Sequence, residues 1–124
     1  MANKFFYFAN GNRHVAASKA DRHQMLCESL NSTYRKKNAD YGDSFGETFA
    51  DLGIISAITR ISDKYNRIKN LAKLPSDQQQ VKSESITDTL LDMANYCIMT
   101  VMEIESISAA NEYAKRNADE VKPC

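Results

Sequence analysis

Four polar side chains at helical spacing are the residues best placed to do chemistry in this chain. Glu84, Asp88, Asp92 and Asn95 are separated by four, four and three positions, so on an α-helix they form one acidic stripe. Apolar residues fill most of the remaining circumference, which predicts a helix buried in a bundle. Carboxylates beside such a surface need cations, donors, a metal ion or a water-filled cleft, because burying an unpaired charge is costly. The stripe therefore predicts a site for a polar ligand.

A row of cationic side chains on the preceding predicted helix could pair with these carboxylates. Arg60, Lys64 and Arg67 share one flank of that helix and form a basic row, with Asp63 beside them. One interpretation is that the row forms ordinary salt bridges with the acidic stripe or faces solvent, as most charged helix flanks do. The other is that it binds phosphate, which arginine can hold with two parallel hydrogen bonds. The sequence leaves both interpretations open.

Length and composition narrow the classes of protein. The 124 residues predict one helical bundle domain over residues 18–117, after an N-terminal arm of residues 1–17 and before a flexible tail of residues 118–124. Sixteen basic and sixteen acidic residues give no net charge, so direct DNA binding is not expected. Three cysteines without paired spacing predict neither a disulfide framework nor a zinc site. No apolar run reaches the length of a membrane span, and a cytoplasmic location is expected.

Three amphipathic helices are predicted to position the charged residues. The first runs from Ser18, with Asp21 as a capping partner, to about Lys37, and the glycine-containing stretch KNADYGDSFGETF then predicts a loop. The second runs from about Phe49 to Leu74. Its predicted core stripe consists of Ile54, Ile58, Ile61, Tyr65, Ile68 and Ala72. The third begins at Ser83 or Ser85 and frays beyond Glu105 into an exposed tail.

The fold expected from these elements is mainly α, an antiparallel bundle of three main helices. Because the third helix is apolar round most of its surface, a second copy is expected to complete the bundle, as a homodimer or a larger homo-oligomer. The aromatic run Phe5 to Phe8, followed by the turn signal Asn10-Gly11, predicts a short β-hairpin or aromatic arm at the N-terminus.

Three segments, KNADYGDSF, GIISAITRISDKYNRIKNL and ESITDTLLDMANYCIMT, closely resemble the nucleotide modification associated domain 1 family. The likeness covers about Tyr34 to Glu105. Members of this family are small proteins common in phages and prophages. The family context implies that a pocket of this kind would sequester a nucleotide immune signal.

A more distant resemblance is to the all-α nucleotide pyrophosphohydrolases of the MazG and dimeric dUTPase type. Those enzymes pair an ExxE on one helix with an ExxD on the next, and their carboxylates hold magnesium against a nucleotide triphosphate. The run Asp92-Met93-Ala94-Asn95-Tyr96 is similar to the end of the ExxD motif. Thr89 stands three positions before Asp92, where the partner acid is expected, and Asp63-x-x-Asn66 replaces the double glutamate.

Two functional hypotheses follow, beside the simpler one of a structural helical oligomer. In the first, the protein binds a phosphorylated nucleotide in an interhelical or intersubunit pocket and needs no cofactor. Its candidate ligand-binding residues are Asp40, Tyr41, Arg60, Lys64, Arg67, Asp92, Asn95 and Tyr96. In the second, it is a Mg²⁺-dependent nucleotide pyrophosphohydrolase with Asp88, Asp92 and Glu84 as metal ligands, and Glu84 or Asp63 activates the water.

Overall fold

The chain is mainly α-helical and divides into two compact units, residues 1–42 and 43–124. The computed structural model describes residues 7–10, 13–75, 77 and 79–120, with side chains for residues 17–75, 77 and 82–118. The division falls inside the range 18–117 that the sequence assigns to one bundle. None of the helices in the described ranges combines the length and apolar character that a membrane span requires.

The first unit contains two short strands and one helix. Strand β1, Tyr7–Asn10, pairs antiparallel with strand β2, Arg13–Ala16, and Phe8 lies opposite Val15. The predicted aromatic residues Phe5 and Phe6, and Gly11 of the predicted turn, lie outside the described residues.

Helix α1, Lys19–Tyr41, starts where the sequence predicts. The Ser18 hydroxyl accepts a hydrogen bond from the Asp21 backbone N–H at 3.0 Å, and the Asp21 carboxylate accepts one from the Ser18 N–H at 3.4 Å. This capping box satisfies two backbone donors that the first turn would otherwise leave unpaired. The predicted capping role of Ser18 and Asp21 is confirmed.

The prediction of a loop over residues 37–49 is wrong. Helix α1 continues to Tyr41, and helix α2, Ser44–Leu52, follows almost at once. Gly42 makes the break because it adopts φ +67°, a backbone conformation that glycine accepts without steric cost. Asp43 then caps α2, since its carboxylate accepts from the Gly46 N–H at 3.1 Å.

Two other helix boundaries also differ from the sequence prediction. Gly53, with φ +74°, separates α2 from helix α3, Ile54–Ala72, so the helix predicted from Phe49 to Leu74 is in fact two helices. Helix α4, Gln79–Glu120, begins before Ser83 and continues fifteen residues beyond Glu105. The predicted fraying after Glu105 is therefore wrong.

The second unit packs α2, α3 and α4 around a small core. Among the described side chains, Phe45, Phe49 and Ala57 form the buried cluster, and Tyr96 and Met99 pack against it. The rings of Phe45 and Tyr96 are stacked, with centroids 5.9 Å apart, so α2 is anchored on α4 through its aromatic residues. Ala57 of α3 has no exposed surface, so α3 contributes a small, fully covered residue to this core.

The predicted core stripe of α3 is only partly correct. Ile61 and Ile68 are half-buried, whereas Ile54, Ile58 and Tyr65 remain 46 %, 47 % and 55 % exposed. Ala72, the last predicted member, is also exposed. The physical reason is that α3 turns Ala57 and the basic row toward α4, which rotates the apolar stripe partly out of the contact. An apolar surface therefore remains uncovered within this unit.

Candidate functional site

Three hydrogen bonds join the basic row of α3 to α4. Arg60 Nη1 donates to the Tyr96 hydroxyl at 3.5 Å, Lys64 Nζ donates to Asp92 Oδ2 at 3.3 Å, and Arg67 Nε donates to the Thr89 hydroxyl at 3.3 Å. The donors on α3 follow one another by four and then three residues, while their acceptors on α4 move backward along the sequence by four and then three residues. The two helices are therefore antiparallel. The structure thus brings the predicted basic row against one member of the acidic stripe, Asp92, and against Tyr96.

The ion pair between Lys64 and Asp92 is partly solvated. The two side chains are 28 % and 38 % exposed, so water screens their attraction. We expect a double-mutant cycle with Lys64→Ala, Asp92→Ala and the double variant to give a coupling free energy of about 0.2–1 kcal/mol. Urea denaturation of the four proteins measures it. A coupling above about 2 kcal/mol would mean that the pair belongs to a desolvated network.

Tyr96 is held inside the unit by aromatic and cationic neighbours. Its ring stacks on Phe45, and the Arg60 guanidinium carbon and the Lys64 Nζ each lie 5.9 Å from its centroid. Cations at this distance are attracted by the negative face of the ring. The residue therefore contributes to packing and to the position of the basic row.

Thr89 holds Arg67 in place. Its side chain is almost fully buried at 3 % exposure, and its hydroxyl donates to the Ser85 carbonyl at 2.6 Å while accepting from Arg67 Nε at 3.3 Å. Because a buried hydroxyl needs hydrogen-bond partners, both of its roles are satisfied here. The threonine at this position anchors a guanidinium.

An open depression of about 440 Å³ lies along the flank of α3 next to this anchor. Its lining consists of Asp63, Asn66, Arg67, Asn70, Leu71 and Leu74. The four polar members are exposed and the two leucines are half-buried. The depression therefore offers one cation, two amides, one carboxylate and an apolar floor.

Polar residues of both helices gather on the same side of the α3–α4 pair. Each of the three contact residues Lys64, Thr89 and Tyr96 follows a polar residue in the sequence. Those polar residues are Asp63, Asp88 and Asn95. In an α-helix the preceding residue lies about 100° away round the helix axis. In an antiparallel pair, the residues that precede the contact residues of both helices therefore lie on the same side of the pair. The depression and most of the acidic stripe consequently share one polar side.

The three carboxylates predicted as magnesium ligands differ in their surroundings. Glu84 is half-buried, Asp88 is exposed, and Asp92 is bonded to Lys64. Within residues 17–75, 77 and 82–118, no three His, Cys, Asp or Glu side chains lie together as a metal-binding group. Because magnesium in nucleotide sites usually takes one or two carboxylates together with phosphates and waters, the assignment of Asp88, Asp92 and Glu84 as magnesium ligands stays a prediction.

Two predicted ligand residues belong to the first unit. Asp40 and Tyr41 lie in the last turn of α1, and Tyr41 is 75 % exposed. The remaining candidates, Arg60, Lys64, Arg67, Asp92, Asn95 and Tyr96, all lie in the second unit.

The sequence patterns indicated neither the amides and leucines of the depression nor the role of Thr89. Asn66 and Asn70 are spaced from Asp63 by three and seven positions, so helical periodicity alone could have placed them on one flank. The bond between Arg67 and Thr89 joins residues 22 positions apart, and no local pattern predicts it.

Comparison with known proteins identifies the family of the chain. No curated protein and no solved structure matches it. The sequence model of one family matches residues 37–104, which is more than half of the chain and spans α2, α3 and the part of α4 that packs on α3. The chain therefore belongs to the nucleotide modification associated domain 1 family.

Proposed function

We propose that this protein binds a phosphorylated nucleotide in the depression on the polar side of α3 and α4. The observation that carries the proposal is the position of Arg67, whose guanidinium lines the depression and is fixed through Nε by a buried threonine. A guanidinium held in this way loses little conformational entropy when it binds a phosphate group, and it supplies charge-assisted hydrogen bonds.

The other lining residues complement the rest of a nucleotide. The amides of Asn66 and Asn70 can donate to phosphate oxygens or pair with polar base edges, and Asp63 can accept from ribose hydroxyls. Leu71 and Leu74 provide an apolar surface for a base. The volume of about 440 Å³ lies within the range of roughly 300–1,000 Å³ that small-molecule pockets occupy.

Arg60 and Lys64 serve the site by charge more than by direct contact. Neither residue lines the depression, and each already donates a hydrogen bond to a residue of α4. Their positive potential still favours an anion near Arg67. Asp92 and Asn95 lie on α4 outside the lining of the depression, and they remain the proposed ribose or base partners.

Binding without turnover is the activity that this arrangement favours. The protein would hold a nucleotide out of solution, and in a phage-infected cell that nucleotide could be an immune signal. The proposal includes a homo-oligomer, because the exposed apolar residues of α3 and α4 require a covering partner.

A nucleotide panel tests the proposal directly. The purified protein is incubated with nucleoside triphosphates, their deoxy counterparts and cyclic dinucleotides, with and without Mg²⁺. Binding is measured by calorimetry, and the nucleotide released by heat denaturation is identified by chromatography. We expect at least one member to bind and to be recovered chemically unchanged.

Two outcomes would overturn the binding assignment. Pyrophosphate release that requires Mg²⁺ and disappears in Asp92→Asn would establish the pyrophosphohydrolase instead. Neither binding nor turnover with any member of the panel would leave the structural oligomer as the function.

A further inference from the structure

The lining of the depression carries balanced charge. Among the described lining residues, Arg67 is the one cation and Asp63 the one carboxylate, while Asn66 and Asn70 are neutral amides. The guanidinium and the carboxylate belong to residues four positions apart on α3, about one helical turn or 6 Å along the axis. An anion that enters the depression therefore meets one positive charge with a negative charge beside it.

Carboxylates of α4 lie on the same side as the guanidinium. Asp88 directly precedes Thr89, whose hydroxyl accepts the hydrogen bond from Arg67 Nε, and it shares the polar side with the depression. Glu84 follows one helical turn away in the acidic stripe. Both carboxylates oppose the collection of further negative charge around Arg67.

The neighbouring lysines of α3 do not give the depression a second phosphate-binding group. Lys64 donates to Asp92 at 3.3 Å, and the Lys69 ammonium lies 5.4 Å from the centroid of the Tyr65 ring. Lys73 comes six residues after the arginine of the depression, about 9 Å along the helix axis. None of these three lysines belongs to the lining.

A polyphosphate chain finds no suitable partner in either direction from Arg67. Toward the start of α3 lies the Asp63 carboxylate, which would repel a second or third phosphate. Toward the end of α3 lie Leu71 and Leu74, whose side chains offer phosphate neither charge nor hydrogen bonds. Triphosphate sites instead surround the chain with several donors, a lysine and Mg²⁺.

One phosphate group, in contrast, matches the donors that line the depression. Arg67 Nε is bonded to Thr89, which leaves the two terminal nitrogens of the guanidinium to donate in parallel to two phosphate oxygens. The amides of Asn66 and Asn70, one position before and three positions after the arginine, can donate to a remaining oxygen.

We infer that the depression takes a ligand that presents a single phosphate group, as a nucleoside monophosphate or a phosphodiester does, in preference to a nucleoside triphosphate. This inference rests on the proposed function and narrows it to one class of nucleotide. Each further phosphate adds negative charge beside Asp63, with no second cation among the described lining residues to neutralise it. Because water screens part of the repulsion, the triphosphate is expected to bind about threefold to tenfold more weakly than the single-phosphate form of the same base.

Calorimetric titration of the full chain in EDTA tests this preference. The ligands are the monophosphates, 3′,5′-cyclic monophosphates and triphosphates of adenosine, guanosine, cytidine and uridine, together with cyclic dinucleotides, which present their phosphates separately. For at least one base, a single-phosphate form is expected to bind more tightly than the triphosphate. Comparison of the monophosphate with the cyclic forms distinguishes a phosphomonoester ligand from a phosphodiester.

Asp63→Asn tests the cause of the preference. The variant removes the negative charge beside Arg67 and keeps the size of the side chain, so the dissociation constants of the triphosphate and the monophosphate should approach each other by about threefold. Their ratio is unaffected by any contact of residue 63 with the ribose, which both ligands contain. The matched control is Asp51→Asn, the same change at an exposed position of α2 outside the lining, and it should leave the ratio unaltered.

Failure of this inference and failure of nucleotide binding give different results. A triphosphate that binds as tightly as the single-phosphate forms in EDTA, or more tightly than they do once Mg²⁺ is added, overturns the preference and leaves nucleotide binding intact. An unaltered ratio in Asp63→Asn overturns the role of charge in the depression. Absence of binding by every ligand overturns the proposed function and the preference with it.

Discussion

Replacing Phe49 by alanine is expected to lower the free energy of unfolding by about 3–5 kcal/mol, the usual cost of removing a buried aromatic ring. Phe49 is 4 % exposed, and its ring centroid lies 6.5 Å from that of Phe45. It is one of three buried apolar residues among the described side chains, so little else compensates for its loss. Urea denaturation, with the helix signal of circular dichroism as the probe, measures the change.

Tyr113→Ala is the control for that experiment. This tyrosine is also a helical aromatic residue but is 69 % exposed, and its removal should change stability by less than about 0.5 kcal/mol. All proteins must be compared at one concentration, because association adds to apparent stability. A loss below about 1 kcal/mol for Phe49→Ala would contradict the assignment of this cluster as the core of the second unit.

Local sequence patterns predicted the elements that depend on local interactions. The mainly α fold follows from helical periodicity, and the start of α1 follows from Ser18 and Asp21, whose hydrogen bonds join residues three positions apart. The family resemblance also concerns contiguous segments, and the matched range of residues 37–104 confirms it. These inferences needed no knowledge of which helices pack together.

The loop between residues 37 and 49 was predicted wrongly because glycine has more than one structural use. Gly42 does break the chain, at a positive φ. Gly46, however, lies inside α2, and a Cβ there would meet the carboxylate of the capping residue Asp43 first and then Glu103 Oε1 of α4 at 2.7 Å. Its role is to leave room for the Asp43 carboxylate that caps the helix, and a sequence pattern alone does not distinguish this role from a turn.

The partly wrong core stripe of α3 has a similar cause. Periodicity shows which residues share a face, but it does not show which face meets another helix. The sequence assigned the most apolar stripe to the interior of the chain, whereas Ala57 and Lys64 of the neighbouring stripe lie against α4. The register between α3 and α4 comes from contacts more than twenty residues apart, such as the one between Arg67 and Thr89. It is this long-range register that decides which charges surround the depression.

The second large effect is expected from Arg67→Gln on nucleotide affinity. Glutamine removes the positive charge and the paired donors while keeping a polar side chain of moderate length. Hydrogen bonds to charged groups contribute about 1.5–3 kcal/mol, so we expect the dissociation constant of the nucleotide that binds in the panel to rise by about tenfold to a hundredfold. Calorimetric titration of the full chain measures it, and circular dichroism verifies that the helices are retained.

Two further variants distinguish the effect of the guanidinium geometry on affinity from the effect of positive charge alone. Arg67→Lys keeps the charge but loses the two-pronged geometry and the Nε bond to Thr89, so it should restore only part of the affinity. Arg116→Gln makes the same chemical change at an exposed position, where the arginine lies 3.8 Å from Glu112, and should leave affinity unaltered. Equal losses of nucleotide affinity in Arg67→Gln and Arg116→Gln would mean that binding depends only on the overall charge of the protein. Full affinity in Arg67→Gln would exclude the depression as the binding site, because no other lining residue carries a positive charge to hold the phosphate.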